Sequence, residues 1–157
     1  MKHWIGVDPG QTGGIAYIDG DGSLLDVVPM PVFDKEVSAS QLAQILKVWL
    51  SRDSEYGTFT VAIEQVGSMP GQGVSSTFKF GKSFGIALGV IGALGVPMVR
   101  IRPQAWKKEM GLSGKEKAAA LGLANELWPS HGVHWALKKN DGLADAALIA
   151  ETARRIR

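Results

Sequence analysis

Apolar and polar positions along this chain fall into two alternating rhythms. His3 to Val7 is a short apolar run that stops at Asp8-Pro9-Gly10, the pattern of a strand entering a sharp turn. Ile15 to Ile18 forms a second run after Gly13-Gly14, and Asp19-Gly20-Asp21-Gly22 separates it from a third, Leu24 to Val28. Three short runs joined by tight turns predict an antiparallel meander. Prolines at 29 and 31 mark residues 29–37 as a loop. From Ser40 the spacing becomes helical, with Leu42, Ile45, Leu46, Trp49 and Leu50 sharing a face. Phe59 to Ile63 is again β-branched and apolar, a fourth strand that delivers Glu64 at its C-terminal end.

Residues 67–77 are rich in Gly, Ser, Pro and Gln and predict a loop. A long helix is expected from about Phe80 to Leu94, with Gly81, Gly85, Ala87, Gly89, Gly92 and Ala93 on several faces. Such small residues permit close backbone approach, either to the sheet or to a second copy of the chain. Gly95-Val96-Pro97 stops that helix, and Met98 to Arg102 predicts a fifth strand with Arg100 and Arg102 on one face. Helices are expected over 113–128 and 142–155. The order βββ-α-β-α-β-α-α predicts an α/β fold built on one mixed five-stranded sheet with flanking helices. No segment reads as a tether or repeat, so residues 1–157 are expected to form one domain.

Composition narrows the chemistry. The chain has no cysteine, which removes disulfides, thiolate zinc sites and cysteine nucleophiles. No apolar run reaches the ~20 residues of a membrane-spanning helix, and the N-terminus lacks the pattern of a signal peptide. A soluble, cytoplasmic protein with no membrane partner is therefore expected. The net charge of +2 is uninformative, but its distribution is not. Residues 1–97 carry six Lys/Arg against nine Asp/Glu, whereas residues 98–157 carry eleven against six. That asymmetry suits an anionic partner approaching the C-terminal third.

Four acidic residues stand where charge is unexpected: Asp8 and Glu64 at strand ends, and Asp141 and Asp145 opening the last helix. Each has an ordinary explanation. Asp8 suits a turn, Glu64 a solvated strand end, and Asp141 a helix N-cap. Asp145 lies among Ala144, Ala146 and Ala147, where an uncompensated carboxylate is costly. One arrangement accounts for all four. If the first and fourth strands are neighbours, Asp8 and Glu64 approach each other, and the i,i+4 pair Asp141/Asp145 faces them from the helix. Crowded carboxylates are relieved by hard divalent cations, and an all-oxygen set favours Mg²⁺ or Mn²⁺ over Zn²⁺. Two ions about 4 Å apart would suit in-line phosphodiester hydrolysis.

These residues carry a resemblance. Ile5-Gly6-Val7-Asp8-Pro9-Gly10 with Thr12-Gly13, then Ala62-Ile63-Glu64-Gln65-Val66, then Asn140-Asp141-Gly142-Leu143-Ala144-Asp145-Ala146 resemble the three acidic motifs of RuvC-type Holliday-junction resolvases, within the RNase H-like nuclease superfamily. The resemblance spans positions 5 to 150. It implies an RNase H-like sheet and Mg²⁺- or Mn²⁺-dependent cutting of a four-way DNA junction. It also implies a homodimer paired through the helix after the second motif, working in the cytoplasm of a bacterial or phage-infected cell. Asp8, Glu64, Asp141 and Asp145 would be its metal ligands and catalytic residues. It extends to Arg102-Pro103, Trp106-Lys107 and Gly114-Lys115-Glu116-Lys117. Lys107 and Lys117 match two phosphate-contacting lysines and would join the catalytic set by stabilising developing charge, although each also reads as a solvated helix end. Lys108, Lys115, Lys138 and Lys139 would thicken a basic rim.

Two departures stand out. The aromatic wedge expected three residues after the second-motif Glu is here Gly67. Met69, Phe78 or Phe80 would have to replace it, or else serve in the core or an interface. The last acidic pair is spaced i,i+4 rather than i,i+3, which keeps both on one helix face, with Asp145 the favoured ligand. The five tryptophans read as core or interface, with Trp135, beside His134 and near Lys138, the one candidate for DNA contact. Two other functions fit the motifs: a nuclease for other branched or hybrid nucleic acids, and a non-catalytic module that holds branched DNA. An actin-like phosphotransferase would need two such folds and a much longer chain.

Overall fold

The computed structural model describes residues 1–52 and 57–156. Its centre is a five-stranded sheet. Strands β1 (Lys2–Asp8), β2 (Gly14–Asp19) and β3 (Leu24–Pro29) form the expected antiparallel meander. Helix α1 (Ala39–Arg52) leads to β6 (Thr58–Glu64), and α2 (Val74–Ala93) leads to β7 (Met98–Ile101). Both later strands run parallel to β1, giving the spatial order β3-β2-β1-β6-β7. The first and fourth main strands are therefore neighbours, with Val7 paired to Ile63.

Strand alternation divides the core into two layers. Ile5, Val7, Val61 and Ile63 point towards α1 and α2, where they pack with Leu42, Leu46, Ala87 and Ile91. Trp4, Ala62 and Ile101 point the other way, into a cluster with the last helix, α6 (Asp141–Arg155). That helix lies directly on the sheet. A Cβ at Gly6 would fall 1.9 Å from the Ala146 carbonyl oxygen and 2.9 Å from the Ala150 Cβ. Its alanines are thus the consequence of close approach to β1, and eleven of its residues, from Gly142 to Thr152 with Asp145 the one exception, plus Ala153, are buried.

Several elements differ from the sequence reading. The 29–37 loop contains a two-residue hairpin, β4 (Val32–Phe33) with β5 (Glu36–Val37), turned by Asp34 and Lys35 at φ +48° and +61°. Two non-glycine residues in the left-handed region carry no glycine signal to announce them. Helix α2 begins at Val74 rather than near Phe80. Its Ser75-Ser76-Thr77 turn is a weak helix former that tertiary context overrides. A seven-residue helix, α3 (Pro103–Glu109), follows β7 with proline at its first position. The expected 113–128 helix is confined to α4 (Lys117–Leu127), because Gly114 at φ +70° belongs to a turn. A short α5 (Gly132–Trp135) precedes α6. Among the described residues no helix is long and apolar enough to cross a membrane.

Candidate active site

The strand alternation that builds the core also selects where the acidic side chains go. Asp8 shares parity with Trp4 and Gly6, and Glu64 with Ala62, so both strand ends lie on the face covered by α6. The start of α6 is seated against the turn after Asp8: a Cβ at Gly142 would lie 2.4 Å from the Thr12 carbonyl oxygen. Gly13 in turn folds back on Asp8, since a Cβ there would meet the Asp8 carbonyl at 2.1 Å. Glycine is required on both sides of this contact. Asp141 and Asp145 are thereby presented to the two strand ends.

The electrostatics record that proximity. Burial, then the Glu64 and Asp145 charges, push the half-buried Asp8 carboxyl up to about 7, against the opposing pull of the Gly10 N–H and Lys117. The Gly10 N–H donates to Asp8 Oδ1 at 3.3 Å. Asp145 is pushed up to about 6 by burial and by Glu64, with Lys117 and Lys107 opposing and Asp141 adding to the rise. Asp8, Glu64 and Asp145 thus repel one another across a shared space. Asp141 is differently placed. Its Oδ2 accepts a 2.6 Å hydrogen bond from Lys117 Nζ, which raises the lysine's own pKa. Asp141 is the first residue of α6 and does not cap it; Asn140 holds the cap position without a side-chain bond.

Lys107 and Lys117 both act on the cluster, from the C-terminal turn of α3 and the first residue of α4. Lys108, Lys115, Lys138 and Lys139 are exposed. Met69, Phe78 and Phe80 are 72%, 71% and 44% exposed, so none is a core residue. Phe80 lies nearest the acidic turn, its ring 3.7 Å from where a Gly10 Cβ would stand. Trp135 is not available to DNA. It is buried and donates from Nε1 to Asn125 Oδ1 at 2.9 Å, with its ring edge-on to Trp128. Indole rings of this size are most favourable inside when the N–H finds an acceptor. The sequence reading also overlooked a contact of Trp106, whose Nε1 donates to Glu64 Oε2 at 2.5 Å. Its position one helical turn after a strand-ending Arg-Pro was the available signal.

Among the described residues no group of three or more His, Cys, Asp or Glu side chains closes into a metal cage. The donor chemistry nonetheless fits a hard divalent cation. The set is all oxygen, and burial together with neighbouring carboxylates raises Asp8 and Asp145 against the opposing pull of Lys117 and, for Asp145, Lys107.

Comparison with known proteins bears on the fold. The structure matches "T. thermophilus RuvC in complex with Holliday junction substrate" with a TM-score of 0.65 and 22% identity, covering 99% of this chain and 95% of that one. A second structure of Thermus thermophilus RuvC matches with a TM-score of 0.61 over the same shares. The fold is that of RuvC. In sequence, 86 residues, 54% of this chain, are 37% identical to the chloroplastic Holliday junction resolvase MOC1 of Chlamydomonas reinhardtii. The match spans 10% of that protein's length. No family model matches the chain. The shared fold is the mixed five-stranded sheet with flanking helices.

Proposed function

We propose that residues 1–157 form a single nuclease domain that resolves four-way DNA junctions by divalent-metal-dependent phosphodiester hydrolysis, in the cytoplasm of a bacterial or phage-infected cell. The observation that carries this reading is the placement of Asp8 and Glu64 at the ends of two neighbouring strands, on the sheet face where the start of α6 brings Asp145, within a RuvC fold and with lysines on the surrounding helices. Asp8, Glu64 and Asp145 would hold Mg²⁺ or Mn²⁺, with Asp141 completing the set when Lys117 releases it. The metal, when bound, supplies a polarised water and neutralises charge on the phosphate. Lys117 and Lys107 set positive charge beside the acidic group, suited to the charge that develops on phosphate oxygens. Lys108 and Lys115 extend that positive surface, which gives salt-dependent affinity without sequence information. Met69 and Phe78 offer exposed apolar side chains to unstacked bases at the junction centre.

A junction has two strands to cut, and a twofold dimer supplies two matching sites. Helix α2 turns Ser83, Ala87 and Ile91 towards the sheet, while a Cβ at Gly81, Gly85, Gly89 or Gly92 would meet nothing within 4 Å. The glycine stripe therefore does not serve the sheet, which supports its use by a second copy. Gly85→Trp is expected to convert a dimer to a monomer in light scattering while leaving the melting temperature nearly unchanged; an unaltered mass removes α2 from the interface.

The deciding experiment is cleavage of a synthetic four-way junction in Mg²⁺, with flap and RNA–DNA substrates in competition. Asp8→Asn and Glu64→Gln are expected to lose about 10²–10³-fold in rate, the scale of losing one preorganised electrostatic group. An Asp8→Asn protein as active as wild type would falsify the reading.

A further inference from the structure

Among the described residues, Trp106 is the tryptophan whose polar handle reaches the acidic group. The ring is 1% exposed and sits in the cluster that also holds Ala144 and Ala147 of α6. Its position is doubly constrained from the backbone. Glu64 pairs with Ile101, and the Gln65 N–H donates to the Ile101 carbonyl at 2.8 Å, which fixes the end of β7 beside Glu64. Helix α3 starts two residues later at Pro103, and the Trp106 N–H donates to the Arg102 carbonyl at 3.2 Å. One turn into that helix, the indole Nε1 meets Glu64 Oε2 at 2.5 Å. A buried indole N–H requires an acceptor, and an ionised carboxylate makes the bond charge-assisted. The face of the same ring lies 5.5 Å from Lys107 Nζ, within cation–π range.

We propose that Trp106 is a positioning residue of this site: its indole N–H holds one oxygen of Glu64, leaving the other for a divalent cation, while its face steadies Lys107. The inference rests on the metal-dependent reading above. Glutamate has three rotatable side-chain bonds, and Glu64 is only half-buried at a strand end. An immobile donor on Oε2 selects its orientation before the cation arrives, the role outer-sphere partners play for ligating groups. The ring's core contacts supply the immobility, so a residue that packs like a structural tryptophan also aims a ligand.

The test separates the N–H from the ring. Trp106→Phe removes the donor and keeps an aromatic filler. Site-specific replacement of Trp106 by β-(3-benzothienyl)alanine keeps the bicyclic shape and loses only the N–H, so the test survives even if the phenylalanine variant folds poorly. Mn²⁺ affinity of the metal-free protein is measured by titration calorimetry, junction affinity in Ca²⁺ by gel shift, and cleavage as kcat and KM. Both replacements are expected to weaken Mn²⁺ binding about 10-fold or more. They should lower kcat at sub-saturating Mg²⁺ and leave junction affinity and KM within about twofold. Excess Mg²⁺ should restore most of the lost rate. Mn²⁺ binding equal to wild type in the benzothienyl protein overturns the inference alone, as does a loss of junction affinity matching the loss of metal. A wild-type protein that takes up no Mn²⁺ overturns both this inference and the function it rests on.

Discussion

Two of the three acidic residues of helix α6, Asp145 and Glu151, stand six residues apart in opposite surroundings. Glu151 is 3% exposed, yet its pKa is lowered, because Arg154 and Arg155 hydrogen-bond both of its oxygens at 2.7–2.8 Å and outweigh burial. Asp145 is half-buried, and its pKa is raised to about 6 because burial and Glu64 outweigh the lysines near it. One end of the helix is balanced by cations from its own sequence, at i+3 and i+4. The other faces carboxylates from two different strands. A carboxylate that serves the fold brings its counter-charge with it. A carboxylate left facing others of its kind has no such partner in its own helix, which is what the proposed metal would supply.

The contrast is sharpest in activity. Asp145→Asn is expected to cut junction cleavage by about 10²–10³-fold, while Glu151→Gln should leave the rate of folded protein within about twofold. Equal losses in both, at matched folded fractions, would erase the distinction between the two ends.

Next in size is the pH dependence of stability without metal. Asp8 and Asp145 have folded-state values raised from 3.8 to about 7 and about 6, so the folded chain holds protons that the unfolded chain has already released. Their stabilising effect is complete below about pH 4 and is lost as pH rises through about 6 and 7. A loss of roughly 2–4 kcal/mol between pH 4 and 8 is expected in EDTA, given the coupling and partial exposure of these groups. Mg²⁺ should flatten the profile, and Asp8→Asn should raise the melting temperature at pH 8. Glu151 runs the other way: its lowered value stabilises above its ordinary 4.5 and is lost as pH falls. Urea titrations at several pH values measure both slopes, and a metal-free stability that climbs from pH 5 to 8 would contradict the first.

A smaller effect belongs to the buried pair itself. Glu151→Gln is expected to cost about 1–3 kcal/mol at pH 7, less than a fully buried pair because both arginines reach solvent. Smallest are the exposed cations. Arg155→Ala and Lys117→Ala should each change stability by under about 1 kcal/mol, since their side chains are 38% and 75% exposed. They should differ in function. Only Lys117→Ala is expected to slow cleavage, by about tenfold or more, and equal rates would remove Lys117 from the site.

Much of this arrangement was legible beforehand. The runs ending at Asp8 and Glu64, the glycine-rich turns and the alanine-rich last helix each have a strong local cause, and all appear where periodicity puts them. What escaped was short or non-local. Helix α3 has seven residues, too few for a helical period to emerge, and the β4–β5 turn uses Asp34 and Lys35 where glycine would have signalled it. Trp135 stood beside basic residues in sequence, but its burial against Trp128 comes from segments that only meet in the folded chain.

Residue type and spacing by themselves determined the mixed sheet, the face shared by Asp141 and Asp145, and the all-oxygen character of the acidic group. These follow from backbone periodicity and side-chain chemistry, which act over a few residues. Tertiary structure alone decided which acids face one another. Strand parity sends Asp8 and Glu64 to the α6 side, the Gly13–Gly142 contact sets the height of the helix, and Lys117 draws Asp141 aside while Asp145 stays with the strands. It also decided that Trp106 belongs to Glu64, 42 residues away. Burial and like-charge repulsion depend on distances through space, and those exist only once the sheet has closed.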